Sequence, residues 1–206
     1  MKPYPTLHRF YPIVPDAGWV ARVAKAGAQL IQLRFKDDDK AVARREIDLA
    51  LGACLPSGAC LVVNDYWDLA IDAGASWVHL GQTDLDWADL PALRRANVRI
   101  GVSTHDHAEL ERGLSFDPDY VALGPIYPTT LKVMPWPPQG LDRITEWKRL
   151  VGSRPLVAIG GISLERGPGC FQAGADCVAV VSDVVGRADP ESRVRTWLEA
   201  TGSARG

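Results

Sequence analysis

Three donor side chains, Gln32, Arg34 and Lys36, fall at alternate positions in Gln32-Leu33-Arg34-Phe35-Lys36, just where an apolar run ends. Alternate residues of a strand point to one face, so an extended segment here projects an amide, a guanidinium and an ammonium together. Such a set suits a polyanion such as pyrophosphate, held through charge-assisted hydrogen bonds. The plainer alternative is a solvated rim in which Arg34 and Lys36 pair with Asp37, Asp38 and Asp39. Asp39 is also placed to cap a following helix.

Two carboxylates follow. The run Leu61-Val62-Val63 ends in Asn64-Asp65, and His79-Leu80-Gly81-Gln82-Thr83-Asp84 delivers a second aspartate from the next unit. Asp65 and Asp84 at adjacent strand ends make a hard-oxygen set for Mg²⁺, which holds phosphates through a few carboxylates and waters. A helix-capping role for Asp65 competes with that assignment. In Gly101-Val102-Ser103-Thr104-His105 the hydroxyls can donate to an anion, with Thr104 better read as a helix cap. His105 and His107 read as surface residues of a first helical turn.

The segment from Pro125 to Gly140 has five prolines and no regular pattern. Loops of this length in compact domains are usually functional, and this one reads as a lid carrying Lys132, with Trp136 as an apolar cover. An ordered loop packed on a rim is the alternative. Later, Ile159-Gly160-Gly161-Ile162-Ser163 and Val180-Val181-Ser182 pair glycines with exposed backbone N–H groups at two successive strand ends. That combination is a phosphomonoester site in many parallel barrels.

The elements that must position these groups alternate every 20 to 25 residues or so, short apolar runs with longer amphipathic ones, which is the pattern of βα units. Strands are predicted at Arg9 to Val14, Ala28 to Arg34, Ala59 to Asn64, Trp77 to Leu80, Val98 to Val102, Tyr120 to Gly124, Leu156 to Gly160 and Cys177 to Val181. Helices are predicted at Asp16 to Ala26, Asp39 to Leu55, Asp65 to Ala73, Trp87 to Ala96, His105 to Gly113, Leu141 to Val151, Leu164 to Ala173 and Pro190 to Ala200. Ala26-Gly27-Ala28, Ala73-Gly74-Ala75 and Ala173-Gly174-Ala175 each put a glycine between helix and strand, where a left-handed residue ends the helix. Eight such pairs predict one α/β domain, a (β/α)8 TIM barrel over residues 1–200 with a short tail at 201–206. A doubly wound open sheet is the rival, but Pro15-Asp16-Ala17-Gly18 is not the glycine fingerprint of a dinucleotide fold.

Composition narrows the partners. The 206 residues are 47% hydrophobic and 23% charged with a net charge of −2, a globular balance without the basic excess that nucleic acid requires. No apolar run is long enough to span a bilayer, and Met1-Lys2-Pro3-Tyr4-Pro5 does not begin a signal peptide, so no membrane partner and a cytoplasmic location are expected. Cys54, Cys60, Cys170 and Cys177 form no Cys-x-x-Cys pair and read as buried free thiols. Trp147 and Trp197, on helices outside the barrel, would give an apolar face for a homodimer.

Taken together, Gln-Leu-Arg-Phe-Lys (32–36), Val-Asn-Asp-Tyr-Trp (63–67), Val-His-Leu-Gly-Gln-Thr-Asp (78–84), Gly-Val-Ser-Thr-His (101–105), Gly-Pro-Ile-Tyr-Pro-Thr (124–129), Pro-Pro-Gln-Gly-Leu (137–141), Ala-Ile-Gly-Gly-Ile (158–162) and Val-Ala-Val-Val-Ser (178–182) resemble the thiamine phosphate synthase family. The motifs occur in order over nearly the whole chain. The resemblance implies a transferase that joins 4-amino-2-methyl-5-hydroxymethylpyrimidine diphosphate to 4-methyl-5-(2-hydroxyethyl)thiazole phosphate, releasing pyrophosphate with Mg²⁺ through a pyrimidine carbocation. It further implies that Gln32, Arg34, Lys36, Asn64, Ser103 and Lys132 hold the pyrophosphate, with Arg34, Ser103 and Lys132 acting in catalysis. Asp65 and Asp84 would bind the metal, and Thr129, Gly161, Val181 and Ser182 the thiazole phosphate.

Two positions depart from the family pattern, Leu131 where a threonine usually precedes the loop lysine, and Asp183 where a small uncharged residue is common. An aspartate beside a phosphate opposes the ligand unless it turns away to cap the next turn, so a weakened or altered use of thiazole phosphate is expected. Two other functions compete. A related thiazole tautomerase resembles this chain but carries a proton-transfer histidine where Pro125 stands, and a non-catalytic barrel would bind thiamine intermediates without turnover.

Overall fold

Eight strands pair in parallel, each with the next and the last with the first, to close a barrel. The computed structural model describes residues 4–129 and 136–202. Leu131 and Lys132, and residues 203–206 of the tail, lie outside the described residues. In chain order the elements are β1 (Phe10–Val14), α1 (Ala17–Lys25), β2 (Leu30–Leu33), α2 (Lys40–Cys54), β3 (Cys60–Asn64), α3 (Trp67–Asp72), β4 (Trp77–Leu80), α4 (Leu90–Arg95) and β5 (Arg99–Thr104). They continue with α5 (His107–Ser115), β6 (Tyr120–Leu123), α6 (Gly140–Val151), β7 (Leu156–Ile159), α7 (Gly167–Gln172), β8 (Cys177–Val180), α8 (Ser182–Val185) and α9 (Pro190–Ala200). Closure rules out the open sheet. The short helix α8 directly after β8 was not anticipated, because four residues are too few to show a helical period.

Local chemistry explains where the helices begin and stop. Asp16, Asp39, Asp106 and Asp189 cap α1, α2, α5 and α9 with side-chain oxygens that accept from backbone N–H groups of the first turn. Each offsets an unpaired donor at the helix end. The three Ala-Gly-Ala turns put Gly27, Gly74 and Gly174 at φ of 110°, 73° and 110°, which only glycine adopts without strain.

Strand parity divides the core in two. Phe10, Val14, Ile31, Leu33, Leu61, Val63, Val78, Leu80, Val121, Leu123, Val178 and Val180 face the helices, all buried. The opposite parity lines the barrel interior, with Tyr11, Ile13, Leu30, Val62, Trp77, Tyr120, Ala122, Val157, Cys177 and Ala179 in one apolar cluster. Gln32, Asn64, His79 and Ser103 share that inward parity one step nearer the carboxyl ends. Register brings them side by side, with Gln32 opposite Ile13 and Val62, Asn64 opposite His79, and His79 opposite Gly101.

Three expectations are corrected here. Trp147 and Trp197 offer no dimer face, since both are fully buried and donate their indole N–H within the chain, to Thr104 Oγ1 (3.0 Å) and to Asp183 Oδ2 (2.9 Å). The tail does not start at Thr201, which is buried with its hydroxyl donating to Trp197 O (2.8 Å). Thr104 is no cap, because its side chain points into the barrel wall, donating to Ala122 O (3.0 Å). The cysteines agree with the sequence. All four are free thiols, three of them buried and Cys60 partly buried, and burial pushes Cys54 and Cys170 up to about 11 and Cys60 to about 12, far from reactive thiolates.

Candidate active site

The mouth at the carboxyl ends of the strands carries two polar walls. The first is built from β2 to β5. Gln32 is buried at the end of β2, while Arg34 and Lys36 continue its parity beyond the strand and are exposed at the rim. The Arg34 backbone N–H still donates to Val14 O (2.8 Å), which prolongs the extended conformation and keeps the alternation. Lys36 forms an ion pair with Asp65 and not with the aspartates that follow it. The rim alternative therefore fails for Lys36. Tyr66 ties down the next loop, its hydroxyl donating to Asp37 O (2.6 Å).

Asp65 has a left-handed backbone, φ 66°, a conformation aspartate tolerates better than most side chains. Its N–H donates to His79 O (2.9 Å). The turn makes Tyr66 the residue preceding α3, with no side-chain cap, so the capping role is overturned and the carboxylate is turned toward the mouth. Asp84 reaches the same place from the turn after β4, accepting from Gly81 N–H (2.8 Å). Burial raises its pKa first, and the neighbouring Asp65 carboxylate raises it further by charge and by a side-chain hydrogen bond. Two carboxylates held together against their repulsion form a donor set that a divalent cation fits. Among the described residues no group of three or more His, Cys, Asp or Glu side chains converges on a metal position, so the pair would leave most of a Mg²⁺ shell to phosphate and water.

Behind this wall a chain of hydrogen bonds crosses the barrel. Gln32 Nε2 donates to the Tyr11 hydroxyl (2.8 Å), which meets the Tyr120 hydroxyl (3.1 Å). Tyr120 in turn meets His79 Nδ1 (2.8 Å), and His79 Nε2 meets Ser103 Oγ (2.7 Å). Burial drives the His79 pKa down to about 4, assisted by Arg34 and His105 and opposed by Asp65. Burial also raises both tyrosines well above their ordinary range. The imidazole and both phenols are therefore neutral at pH 7. Gly101 makes room for this arrangement, because a Cβ there would lie 2.0 Å from Tyr120 Cζ.

The second wall belongs to β7 and β8. A cavity of about 240 Å³ is lined by Pro128, Thr129, Gly161, Ser163 and Ser182, with Arg166 and Arg187 among its walls. Gly161, at φ 63°, could not carry a side chain, since a Cβ would sit 2.5 Å from Pro128 O. Val181 precedes α8 and Ser182 opens it. Arg166 Nη1 donates to Gly161 O (2.6 Å), and its guanidinium lies 4.6 Å from the Tyr127 ring centroid.

Asp183 also borders this cavity, but its carboxylate is engaged within the chain. Its carboxylate accepts from Leu164 N–H (3.1 Å), Trp197 Nε1 (2.9 Å) and Arg193 Nε (3.0 Å), and pairs with Arg187. Burial pushes its pKa up, but the bonds from Arg193, Arg187 and Trp197 outweigh it and hold the group below its ordinary value. The residue is an ionised anchor for α9, so its charge is met within the chain and the expected opposition to a phosphate is withdrawn.

The loop after β6 re-enters the described residues at Trp136, which stacks on His105 with ring centroids 4.0 Å apart and planes 12° apart. Gln139 Nε2 donates to His105 O (2.9 Å), and His105 Nδ1 lies 2.7 Å from Glu109 Oε2. His105 is therefore not a free surface residue but the dock for the loop's return. His107 is exposed and pairs with Glu146 (2.6 Å).

The structure thus gathers Gln32, Arg34, Lys36, Asn64, Asp65, Asp84 and Ser103 at one side of the mouth, and Thr129, Gly161, Val181 and Ser182 at the other. Tyr11, Tyr120, His79, Arg166 and Arg187 were not singled out from the sequence. For the interior three, strand parity and the small Gly101 opposite Tyr120 carry the signal; the two arginines show only their placement just after the β7 and β8 motifs.

A family model described as thiamine monophosphate synthase matches residues 11–184. The thiamine-phosphate synthase of Rhizobium etli is 53% identical over 195 residues, 95% of this chain and 96% of that protein. That of Neisseria meningitidis serogroup B is 47% identical over 189 residues, 92% of each. A solved structure, thiamine phosphate pyrophosphorylase from Pyrococcus furiosus, superimposes with a TM-score of 0.81 at 25% identity, covering 97% of this chain and 98% of that one.

Proposed function

The chain belongs to the thiamine monophosphate synthase family, and on that premise we propose that it is a thiamine-phosphate synthase. It transfers the pyrimidinylmethyl group of 4-amino-2-methyl-5-hydroxymethylpyrimidine diphosphate to the ring nitrogen of 4-methyl-5-(2-hydroxyethyl)thiazole phosphate, releasing pyrophosphate. The observation that carries this function is the pairing of two anion-receptive walls across one barrel mouth, the Gln32–Ser103 wall and the Thr129–Ser182 cavity.

The chemistry asks for charge stabilisation and proximity rather than a strong base. The C–O bond to the diphosphate breaks, its electron pair leaves with the pyrophosphate, and a stabilised pyrimidine cation remains until the thiazole nitrogen attacks. Arg34, Lys36, Asn64, Gln32 and Ser103 hold the leaving group and meet its growing charge. Lys132 would add a further cation from the loop. Asp65 and Asp84 would hold Mg²⁺, which when bound neutralises the diphosphate and makes it a better leaving group. The cavity beside Gly161, Val181 and Ser182 fixes the second substrate by its phosphate, which turns a bimolecular attack into a positioned one. Pro125 offers no proton-transfer group for a tautomerase. On this view the enzyme works on small molecules in the cytoplasm, without nucleic acid or membrane.

Incubation with both substrates and Mg²⁺ tests the function. Thiamine phosphate and pyrophosphate should form in equal amounts, and Arg34→Ala should abolish most of the turnover. Binding of both substrates without either product would sink the proposal in favour of a ligand-binding barrel.

A further inference from the structure

The interior chain from Gln32 to Ser103 has a direction, and donor counting sets it. Gln32 Nε2 donates to the Tyr11 hydroxyl. Tyr11 has one proton and is buried, and the acceptor within its reach among the described residues is the Tyr120 hydroxyl, so donor counting has it donate onward to Tyr120. Tyr120, having accepted, donates its single proton to His79 Nδ1. A neutral imidazole that accepts at Nδ1 carries its proton on Nε2, and that proton points to Ser103 Oγ. Ser103 is then an acceptor toward the protein, and its own proton is left for the barrel mouth, where it sits half-buried.

We propose that Tyr11, Tyr120 and His79 are positioning residues that orient the Ser103 hydroxyl as a donor to the departing pyrophosphate, with the amide of Gln32 setting the sense of the whole chain. This rests on the pyrophosphate-releasing function proposed above. With the opposite sense, the Gln32 carbonyl would accept from Tyr11, each proton would reverse, and Ser103 would direct its proton to His79 instead of the substrate. A protonated imidazole would donate at both nitrogens, and Tyr120, accepting from two sides, would have no acceptor for its own proton. Only one arrangement therefore gives every buried donor an acceptor and still presents a hydroxyl proton to the anion. Successive hydrogen bonds of one sense also polarise one another, so the donor is aligned before negative charge develops and needs no reorganisation when it does.

Two measurements on the full chain test the relay. The first is the tautomer of His79 from ¹⁵N spectra of histidine-labelled protein, with the signal assigned by its loss in His79→Gln. The relay requires the Nε2–H form; the Nδ1–H form overturns it, whether or not the protein turns over. The second is a double-mutant cycle on kcat. Tyr120→Phe should lower kcat about 10-fold when Ser103 is present and leave kcat unchanged in a Ser103→Ala background, because coupled groups fail to add. An equal loss in both backgrounds means that Tyr120 serves structure alone and overturns the proposal. Tyr11→Phe repeats the cycle farther from the site should Tyr120→Phe not fold. If the substrates do not react at all, the proposed function falls, and the tautomer still decides the direction of the chain.

Discussion

The Asp84 carboxylate stands within hydrogen-bonding reach of the Asp65 carboxylate across neighbouring strand ends, and its pKa is raised by burial and by that neighbour. Removing one charge should relieve the repulsion. Asp84→Asn keeps an oxygen for Gly81 N–H and, in the presence of a chelator, should raise the Tm. Mg²⁺ should raise the Tm of the unsubstituted protein and leave that of the variant unmoved. Equal Mg²⁺ shifts in both proteins would remove the metal assignment.

Asp183 leads to a prediction opposite to the one its sequence position suggests. Truncation by Asp183→Ala leaves the partly buried Arg193 with only the longer contact to Glu165 (3.3 Å) and strips acceptors from Trp197 Nε1 and Leu164 N–H. Breaking a buried pair in this way costs about 3–5 kcal/mol. Urea denaturation should show that loss, and the Michaelis constant for thiazole phosphate should not improve. A tighter phosphate with unchanged stability would restore the idea of an opposing charge.

These cases show how much the sequence carried. The closed barrel, every strand and the extended run that carries Gln32, Arg34 and Lys36 were legible because period-two apolar runs and alternating donors are local signals. What Asp183 and Asp65 do was not. Asp183 is satisfied by Arg187, Arg193, Trp197 and Leu164 from three other segments, and Asp65 takes a left-handed turn where a helix cap is the commoner outcome. The two walls were recognisable as motifs, while the Tyr11–Tyr120–His79 chain joins residues up to 109 apart, a distance no motif spans.

His79 makes stability depend on pH in a defined window. Its pKa is about 4 in the fold against an ordinary 6.5. Below pH 6.5 the unfolded chain takes up a proton that the native imidazole refuses, so the stability it gives is complete above 6.5 and falls until about pH 4. Integrated over the window the loss is about 3 kcal/mol. Unfolding free energies of the parent and His79→Gln, measured from pH 7 to pH 4, should converge as the pH drops. Parallel curves would mean that His79 is not held neutral.

Arg166 lines the phosphate cavity, anchored on Gly161 O and against Tyr127. A guanidinium bond to a phosphate is worth about 1.5–3 kcal/mol. Arg166→Gln should therefore raise the Michaelis constant for thiazole phosphate by roughly 10-fold or more, and leave that for the pyrimidine diphosphate within about twofold. Steady-state kinetics with each substrate varied in turn separate the two. An equal rise in both constants would show that the cavity is not specific to the thiazole phosphate.

Gly101 is the position on which the interior arrangement depends most directly. Paired with Tyr120 across β5 and β6, it leaves no space for a methyl group, because its Cβ would meet Tyr120 Cζ at 2.0 Å, Cε1 at 2.3 Å and the hydroxyl at 2.5 Å. The ring is fully buried and stacked near His79, so it cannot simply swing into solvent. Gly101→Ala must displace it, at about 1–3 kcal/mol of stability, and the displacement separates the phenol from both Tyr11 and His79. Shortening the opposing side chain in Gly101→Ala/Tyr120→Leu should recover part of the stability, since the clash itself is removed. Activity should not return with it, because the phenol that joins Tyr11 to His79 is gone. Thermal unfolding and turnover measured on the single and double variants check both halves, and a double variant that regained activity along with stability would mean that Gly101 matters for space alone.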